Sequence, residues 1–420
     1  MTTSERLVAG LDIGSARTTA IIAEVVGELP KHPTLRVLGV GQAKTAGMRR
    51  GVVSDIEETT KSVGRAMADA ERMSGVQVEA VYAGIAGEHV QAMTSKGIVA
   101  VSGSEITRAD VARANDVARA QPVAQDRELL HAIPQEYTVD KHEGIRDPVG
   151  MVGMRLEVEM YLVTIGSSPA TNLRRSIERA GYQVRELVLE PLASALAVLT
   201  DDEKELGVAL VEMGAGATDV AIFHEGKIRH LGTIGFGGIN VTSDIVHGLG
   251  LTQADAERLK ERFGCAYEPM VDTSEVIQLP STAAQGDRQV PRELLAHIIH
   301  QRTDEIFDLV QRSVQGAGYG GRLSAGVVLT GGAAALPGTA ELASDVFGVG
   351  VRVGAPTDNV RGLADSVDSP RFATVAGLAH YGAHRLAVGA GAPTARRLAI
   401  GGAGVDRWTE KVKHWLQDFF

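Results

Sequence analysis

Two stretches two hundred residues apart carry the same arrangement of reactive groups: LDIGSARTTAII at 11–22 and VEMGAGATDVAI at 211–222. Asp12 aligns with Glu212, Gly14 with Gly214 and Thr18 with Thr218, and Ile-Ile or Ala-Ile closes each copy. Each reads as a strand, an acid, a glycine turn and a second strand. Glycine lets a backbone come close to phosphate oxygens, and consecutive N–H groups of the turn donate to them. A carboxylate at a strand end can hold Mg²⁺ through water, because that ion keeps most of its hydration shell. Two such hairpins facing each other would clamp a triphosphate. The candidates are Asp12, Gly14, Ser15, Ala16 and Arg17 in the first loop, and Glu212, Gly214, Ala215, Gly216, Ala217 and Thr218 in the second. Asp12 and Glu212 are the candidate Mg²⁺ holders. One hairpin alone would be an ordinary tight turn. A third element adds weight: VVLTGGAAALPG (327–338) is an apolar strand running into Gly331, Gly332 and Ala333. Bare glycines there would let an adenine or ribose lie flat on the backbone.

The surrounding pattern says what positions these groups. Strands are predicted at 7–14, 18–26, 35–43 and 78–87. A helix is predicted over 54–75, capped by Ser54, with Ile56, Val63, Met67 and Met73 on one side. Hairpins mixed with crossovers make an α/β layer. Residues 88–165 read as a small inserted subdomain: a helix at 107–121 and long strands at 127–140 and 152–166, the latter alternating Met154, Leu156, Val158 and Met160. From 168 to 199 a helix, the strand QVRELVLE and the short helix PLASALAVL resume the α/β pattern, followed by strands at 207–214 and 218–226 and helices at 238–249 and 252–263. A polar, loop-like stretch covers 272–290 and a long amphipathic helix 292–314. A strand at 326–332 and a last core helix at 373–388 complete the body.

Bulk composition excludes some functions. Among 420 residues, 44% are hydrophobic and 22% charged, which is ordinary globular usage. A net charge of −10 argues against a nucleic-acid partner. The single Cys265 cannot form an internal disulfide, so a reducing compartment is expected. The start of the chain lacks the pattern of a signal peptide, and no apolar run reaches the ~18 residues of a membrane span. Any membrane contact should then be peripheral.

The end of the chain is unusual. Both tryptophans, Trp408 and Trp415, lie in DRWTEKVKHWLQDFF at 406–420, with Phe420 last. Val405, Trp408, Val412, Trp415, Leu416 and Phe419 form one stripe at helical spacing. A helix over 405–420 would be about 24 Å long, fit for lying in a bilayer interface with its indoles at headgroup depth. The alternatives are docking on the body or a coiled-coil face. A Gly-, Ala- and Pro-rich linker at 389–404, with a reach of roughly 20–24 Å if flexible, weighs against body docking. In the helix Arg407, Lys411 and Lys413 are balanced by Asp406, Glu410 and Asp418, so attraction to anionic lipid should be modest and strengthened by many copies acting together.

The two phosphate loops and the adenosine loop together resemble the actin, sugar-kinase and heat-shock-chaperone superfamily. HAIPQEYTVD (131–140), ELGVALVEMGAGATDVAIF (205–223) and GLAHYG (377–382) narrow the resemblance to the bacterial cell-division protein family FtsA. That resemblance implies a two-lobed α/β actin-like fold with a duplicated core and a C-terminal amphipathic helix. The first lobe core would be 1–87 and 166–205, with an inserted α+β subdomain at 88–165. The second lobe core would be 206–237 and 323–388, with an outer subdomain at 238–322. It further implies ATP and Mg²⁺ binding with at most weak ATPase activity, actin-like polymerisation, and peripheral attachment to the inner face of the cytoplasmic membrane at the division site. Its implied partners are anionic lipid, the tail of FtsZ, and later division proteins through the insert. By position, Glu190 in EPLASALAV would orient attacking water. Gly237, Gly238 and Asn240 open a stretch whose Glu257 and Lys260 would reach the ribose, and Arg302 would meet the FtsZ tail, to whose acidic character a basic side chain is suited. Arg17 stands where the family often carries Lys, as a phosphate-facing cation. Glu212 departs from the more usual Asp. Another bacterial actin relative, a shape-determining filament or a pilus-assembly adaptor, is the alternative; a small-molecule kinase is a further one.

Overall fold

The computed structural model describes residues 6–27, 33–279, 288–356 and 359–390. The linker beyond 390 and the 405–420 helix expected from the sequence lie outside the described residues. Among those described, no helix is long and apolar enough to cross a membrane.

Two sheets that share a five-strand order form the body, and the first carries a sixth strand, Val360–Gly362, parallel to Thr34–Lys44. In the first lobe, Leu7–Ile13 pairs antiparallel with Arg17–Val26, which pairs antiparallel with Thr34–Lys44. On its other side Leu7–Ile13 runs parallel to Ala80–Ile85, and that strand to Gln183–Leu189. The second lobe repeats the order with Val208–Met213, Thr218–His224 and Lys227–Ile234 as the meander, then Gly326–Thr330 and Val351–Val353 in parallel. The register is also repeated: Asp12 sits opposite Thr19, and Glu212 opposite Asp219. The central strands are apolar on both faces because helices cover both.

The first helix, Ile56–Ser74, starts one residue later than its sequence suggests, with Asp55 rather than Ser54 as the cap. Asp55 accepts from the Glu58 amide at 3.0 Å. Val63 and Met67 are buried, while Met73 is 56% exposed and off the core face. Glycines at 39 and 41 let the helix lie on the sheet. A Cβ at Gly41 would sit 1.8 Å from the Ala66 carbonyl oxygen.

Glu190–Val198 and Ala373–Ala390 cross between the lobes and join them into one core. They pack tightly at Gly377, where a Cβ would stand 1.8 Å from the Ala193 carbonyl oxygen.

The insert is a four-stranded sheet of Gln91–Ala100, Arg155–Gly166, Arg127–Val139 and His142–Ile145, covered on one face by Arg108–Arg119. Thr107 and Asp110 cap that helix reciprocally. The strand at 91–100 was not apparent from sequence, because only its Ser95 and Gly97 are buried. Leu156, Val158 and Met160 point inward as expected, but Met154 lies before the strand and is 78% exposed. The insert touches both lobes. Glu136 pairs with Lys227 at 3.0 Å, and the buried His131 Nε2 accepts from the Leu189 amide at 3.1 Å.

The outer part of the second lobe holds Gly238–Leu249, Gln253–Phe263 and the long Arg292–Gly316 around a separate small core. The stretch expected to be loop contains a two-stranded ribbon, Val276–Leu279 against Arg288–Pro291.

Candidate nucleotide site between the lobes

Asp12 and Glu212 end the central strands of the two sheets, and the loops that follow them meet. A Cβ at Gly216 would lie 2.6 Å from Ser15 Oγ. The equivalent hairpins therefore come from opposite lobes to one place. Gly214 closes the second turn by donating to the Ala217 carbonyl at 2.9 Å. Thr218 donates to the Phe236 carbonyl at 2.9 Å, and its counterpart Thr18 bonds Thr45 at 2.8 Å.

Four carboxylates feel one another here. Burial first, and Glu212 second, push Asp12 up to about 7. Burial also raises Glu190 well above the usual carboxylate range, helped by Asp12, Glu212 and Asp219. Asp219 is pushed up to about 7 by burial, against the bond it accepts from Thr233 Oγ1 at 2.5 Å. Glu212 is raised by burial and held back by two hydroxyls that donate to it. One is Ser194 Oγ at 2.9 Å and the other Thr374 Oγ1. These hydroxyls sit on the two helices that cross between the lobes, so the crossing fixes the Glu212 carboxylate. Gly84 makes room for Glu190, whose Cγ would be 2.8 Å from a Cβ there. Among the described residues, no three His, Cys, Asp or Glu side chains gather as a metal cage.

Gly237, Gly238 and Asn240 support the second loop from behind. The Gly238 and Ile239 amides donate to the Gly214 and Ala215 carbonyls at 3.0 and 2.8 Å. Asn240 Oδ1 accepts from the Gly237 amide at 3.0 Å, capping the helix. Lys260 Nζ pairs with Glu257 at 2.9 Å and donates to the Gly238 carbonyl at 3.0 Å. A Cβ at Gly238 would lie 3.6 Å from both Lys260 Nζ and Ala333 Cβ, so the candidate ribose and adenosine residues are neighbours. Gly331 has φ +88 and packs on Met213, whereas Gly332 is exposed with open space above it. That is a bare patch on which a flat ring could rest.

Two side chains do not sit as the sequence suggested. The Arg17 guanidinium lies 3.8 Å from Glu261 of the other lobe, and both are more than half exposed. It is drawn to a carboxylate across the cleft rather than held over the loop. Arg302 is gripped by Asp244 through Nε and NH2 at 2.6 and 3.2 Å and also pairs with Glu305. The cleft of about 560 Å³ that Arg302 helps to line holds the acids Asp244, Asp304, Glu305 and Asp308 together with His297 and Gln301. A free arginine awaiting an acidic tail is therefore not what the groove presents.

Ser194, Thr374 and Asp219 escaped the sequence reading. Asp219 had a signal, since it replaces Thr19 one place after the matched threonines. Ser194 had a weaker one, as the lone hydroxyl in the apolar run PLASALAV.

Comparison with known proteins agrees with this architecture. A family model described as cell division protein FtsA matches residues 209–377, and one described as the SHS2 domain inserted in FTSA matches residues 87–164. The chain is 38% identical over 423 residues to cell division protein FtsA of Pseudomonas aeruginosa, covering 99% of each. It is 37% identical over 425 residues to that of Escherichia coli strain K12, covering 100% of this chain and 99% of the other. Among solved structures, the PilM-PilN type IV pilus biogenesis complex has a chain that matches with a TM-score of 0.64 at 17% identity, over 90% of this chain and 98% of that one. MreB5 of Spiroplasma citri bound to ADP matches with a TM-score of 0.53 at 14% identity, over 89% and 94%. These two share the actin-like fold alone, whereas the near full-length identities decide the family: the chain belongs to the cell division protein FtsA family.

Proposed function

We propose that this cell-division protein binds Mg²⁺–ATP between its lobes, assembles in actin-like fashion on the inner face of the cytoplasmic membrane, and tethers FtsZ filaments there at the division site. The nucleotide reading rests on one observation above all: Ser15 and Gly216, from opposite lobes, meet beside four mutually repelling carboxylates. MreB5 of Spiroplasma citri, which shares the fold, was solved with ADP. When bound, Mg²⁺–ATP would supply positive charge to those acids and phosphate oxygens to the loop amides. Asp12 and Glu212 are the residues to hold the ion through water, and Gly332 with Lys260 and Glu257 the residues for adenosine. Burial and its acidic neighbours shift Glu190 toward its protonated form in the free protein. An added cation would favour its ionised form, the form that can orient water. Hydrolysis is expected to be weak at most, since Glu212 reaches one methylene farther than aspartate.

For FtsZ, the groove beside Arg302 favours a tail segment that brings a cation to Asp304 and Asp308 while its carboxylate competes for Arg302. Later division proteins would engage the insert. The amphipathic pattern at 405–420 supplies the membrane anchor, with avidity from polymer formation holding many weak helices down.

Liposome sedimentation tests the anchor and the nucleotide reading together. The full chain should pellet with anionic vesicles, more so with Mg²⁺–ATP. A chain lacking 405–420 should stay in the supernatant while still binding ATP. Equal pelleting of the two would refute the anchor, and failure of the full chain to bind ATP would refute the nucleotide reading.

A further inference from the structure

We propose that Arg50 contacts the terminal phosphate of the nucleotide and is the side chain through which this protein tells ATP from ADP. The inference deepens the nucleotide reading above and rests on it. Arg50 lies in the MRRG turn at 48–51, between the short strands Met48–Arg49 and Val52–Val53 of the first lobe. Its φ is +47, in the left-handed region that a non-glycine residue enters at a cost. The backbone is held there by close packing on the turn after Ala80–Ile85. A Cβ at Gly51 would stand 2.2 Å from the Ala86 carbonyl oxygen, and one at Gly87 would stand 2.9 Å from that of Arg50. Strain kept in place by its surroundings is found where a side chain must be aimed.

The backbone of this turn meets the second phosphate loop. The Arg50 amide nitrogen is 3.3 Å from where a Cβ would be on Gly216, the glycine that also touches Ser15. Its guanidinium NH1 is 3.9 Å from the corresponding point on Gly235, in the segment leading to the loop's supporting helix. Arg50 thus reaches from the first lobe to the second at the meeting point of both loops.

The order of contacts along the loop gives the direction of the ligand. Its Gly214 end adjoins Gly237 and Gly238, and Gly238 adjoins Lys260 and Ala333, the adenosine side. Its Gly216 end adjoins the Arg50 backbone amide. A nucleotide with its base near Ala333 and its phosphates along the loop therefore ends at Arg50. Charge points the same way. The site holds Asp12, Glu190, Glu212 and Asp219 and must accept a polyanion, yet Arg17 is turned to Glu261 and Lys260 is paired with Glu257. Arg50 is exposed and has no ion-pair or side-chain hydrogen-bond partner among the described residues. The Glu88 carboxylate also lies against Gly235 but makes no ion pair with it there. An unengaged planar guanidinium is well matched to two phosphate oxygens at once.

The test is calorimetric titration of ATP and of ADP, with Mg²⁺, into the full chain and into Arg50→Gly and Arg50→Lys. Glycine adopts φ +47 freely, so Arg50→Gly should unfold at a temperature no lower than wild type. Its ATP affinity should fall by about ten- to a hundredfold, the worth of a charge-assisted bond, with ADP affinity unchanged within about threefold. Arg50→Lys should keep part of the ATP preference. Equal losses for ATP and ADP, or no loss for either, would overturn the assignment while leaving the nucleotide site standing. A wild-type chain that binds neither nucleotide would sink both.

Discussion

Replacing Asp219 by Asn should stabilise the free protein at high pH and do so much less at low pH. Asp219 is 8% exposed on Thr218–His224, facing Glu212 across the hairpin. Its carboxyl moves from the ordinary 3.8 to about 7 on folding, chiefly through burial. The folded chain thus holds this proton more tightly than the unfolded one. The penalty for ionising Asp219 is absent below pH 3.8 and grows as pH rises through 7. At 1.36 kcal/mol per tenfold change in proton affinity, it reaches roughly 4 kcal/mol at pH 8 and stays under about 2 kcal/mol at pH 5. Asparagine keeps the oxygen that accepts from Thr233 and turns a donor toward the surrounding acids. Far-UV circular dichroism during urea unfolding, without nucleotide, suits the measurement, because Trp408 and Trp415 both lie beyond residue 390. The gain in stability at pH 8 should exceed that at pH 5 by about 2 kcal/mol or more. An equal effect at both pH values, or destabilisation at pH 8, would refute the idea that this site stores electrostatic strain.

Two further outcomes follow from the same geometry. Gly377→Ala would drive a methyl to 1.8 Å from the Ala193 carbonyl oxygen, costing about 1–3 kcal/mol by overpacking and lifting Thr374 off Glu212; calorimetry should show a lowered melting temperature together with weakened ATP binding, and a wild-type melt would mean the helices do not cross this closely. Glu190→Gln should leave ATP affinity within about threefold while slowing phosphate release in a single turnover by about a hundredfold; unaltered release would remove Glu190 from the water-orienting role.

What the sequence revealed and what it hid divide along chain distance. The paired hairpins were visible because strand, acid, glycine and strand are consecutive, and their register then follows from alternation alone. Val63 and Met67 declared their helix face in the same local way. Thr374 was invisible and Ser194 nearly so, because each matters only through Glu212, which lies on a strand of another segment. Arg302 looked like a waiting cation until folding brought Asp244 to it from 58 residues away. Arg50 reads as one basic residue among many, since only the approach of Gly216 and Gly235 from the other lobe gives it meaning. The 91–100 strand escaped for a different reason: a sheet edge has too few buried positions to print a period-two pattern.

His131 is pushed down to about 4 by burial, so it stays neutral and its Nε2 remains an acceptor for the Leu189 amide. Leu189 immediately precedes Glu190. A strand of the insert is in this way bolted to the root of the helix that carries a candidate catalytic acid. Tilting the insert would drag that root, and reshaping the cleft would push back on the insert. Binding linkage is reciprocal, so a protein that grips the insert in one tilt would report on the occupant of the cleft and be reported on by it in equal measure.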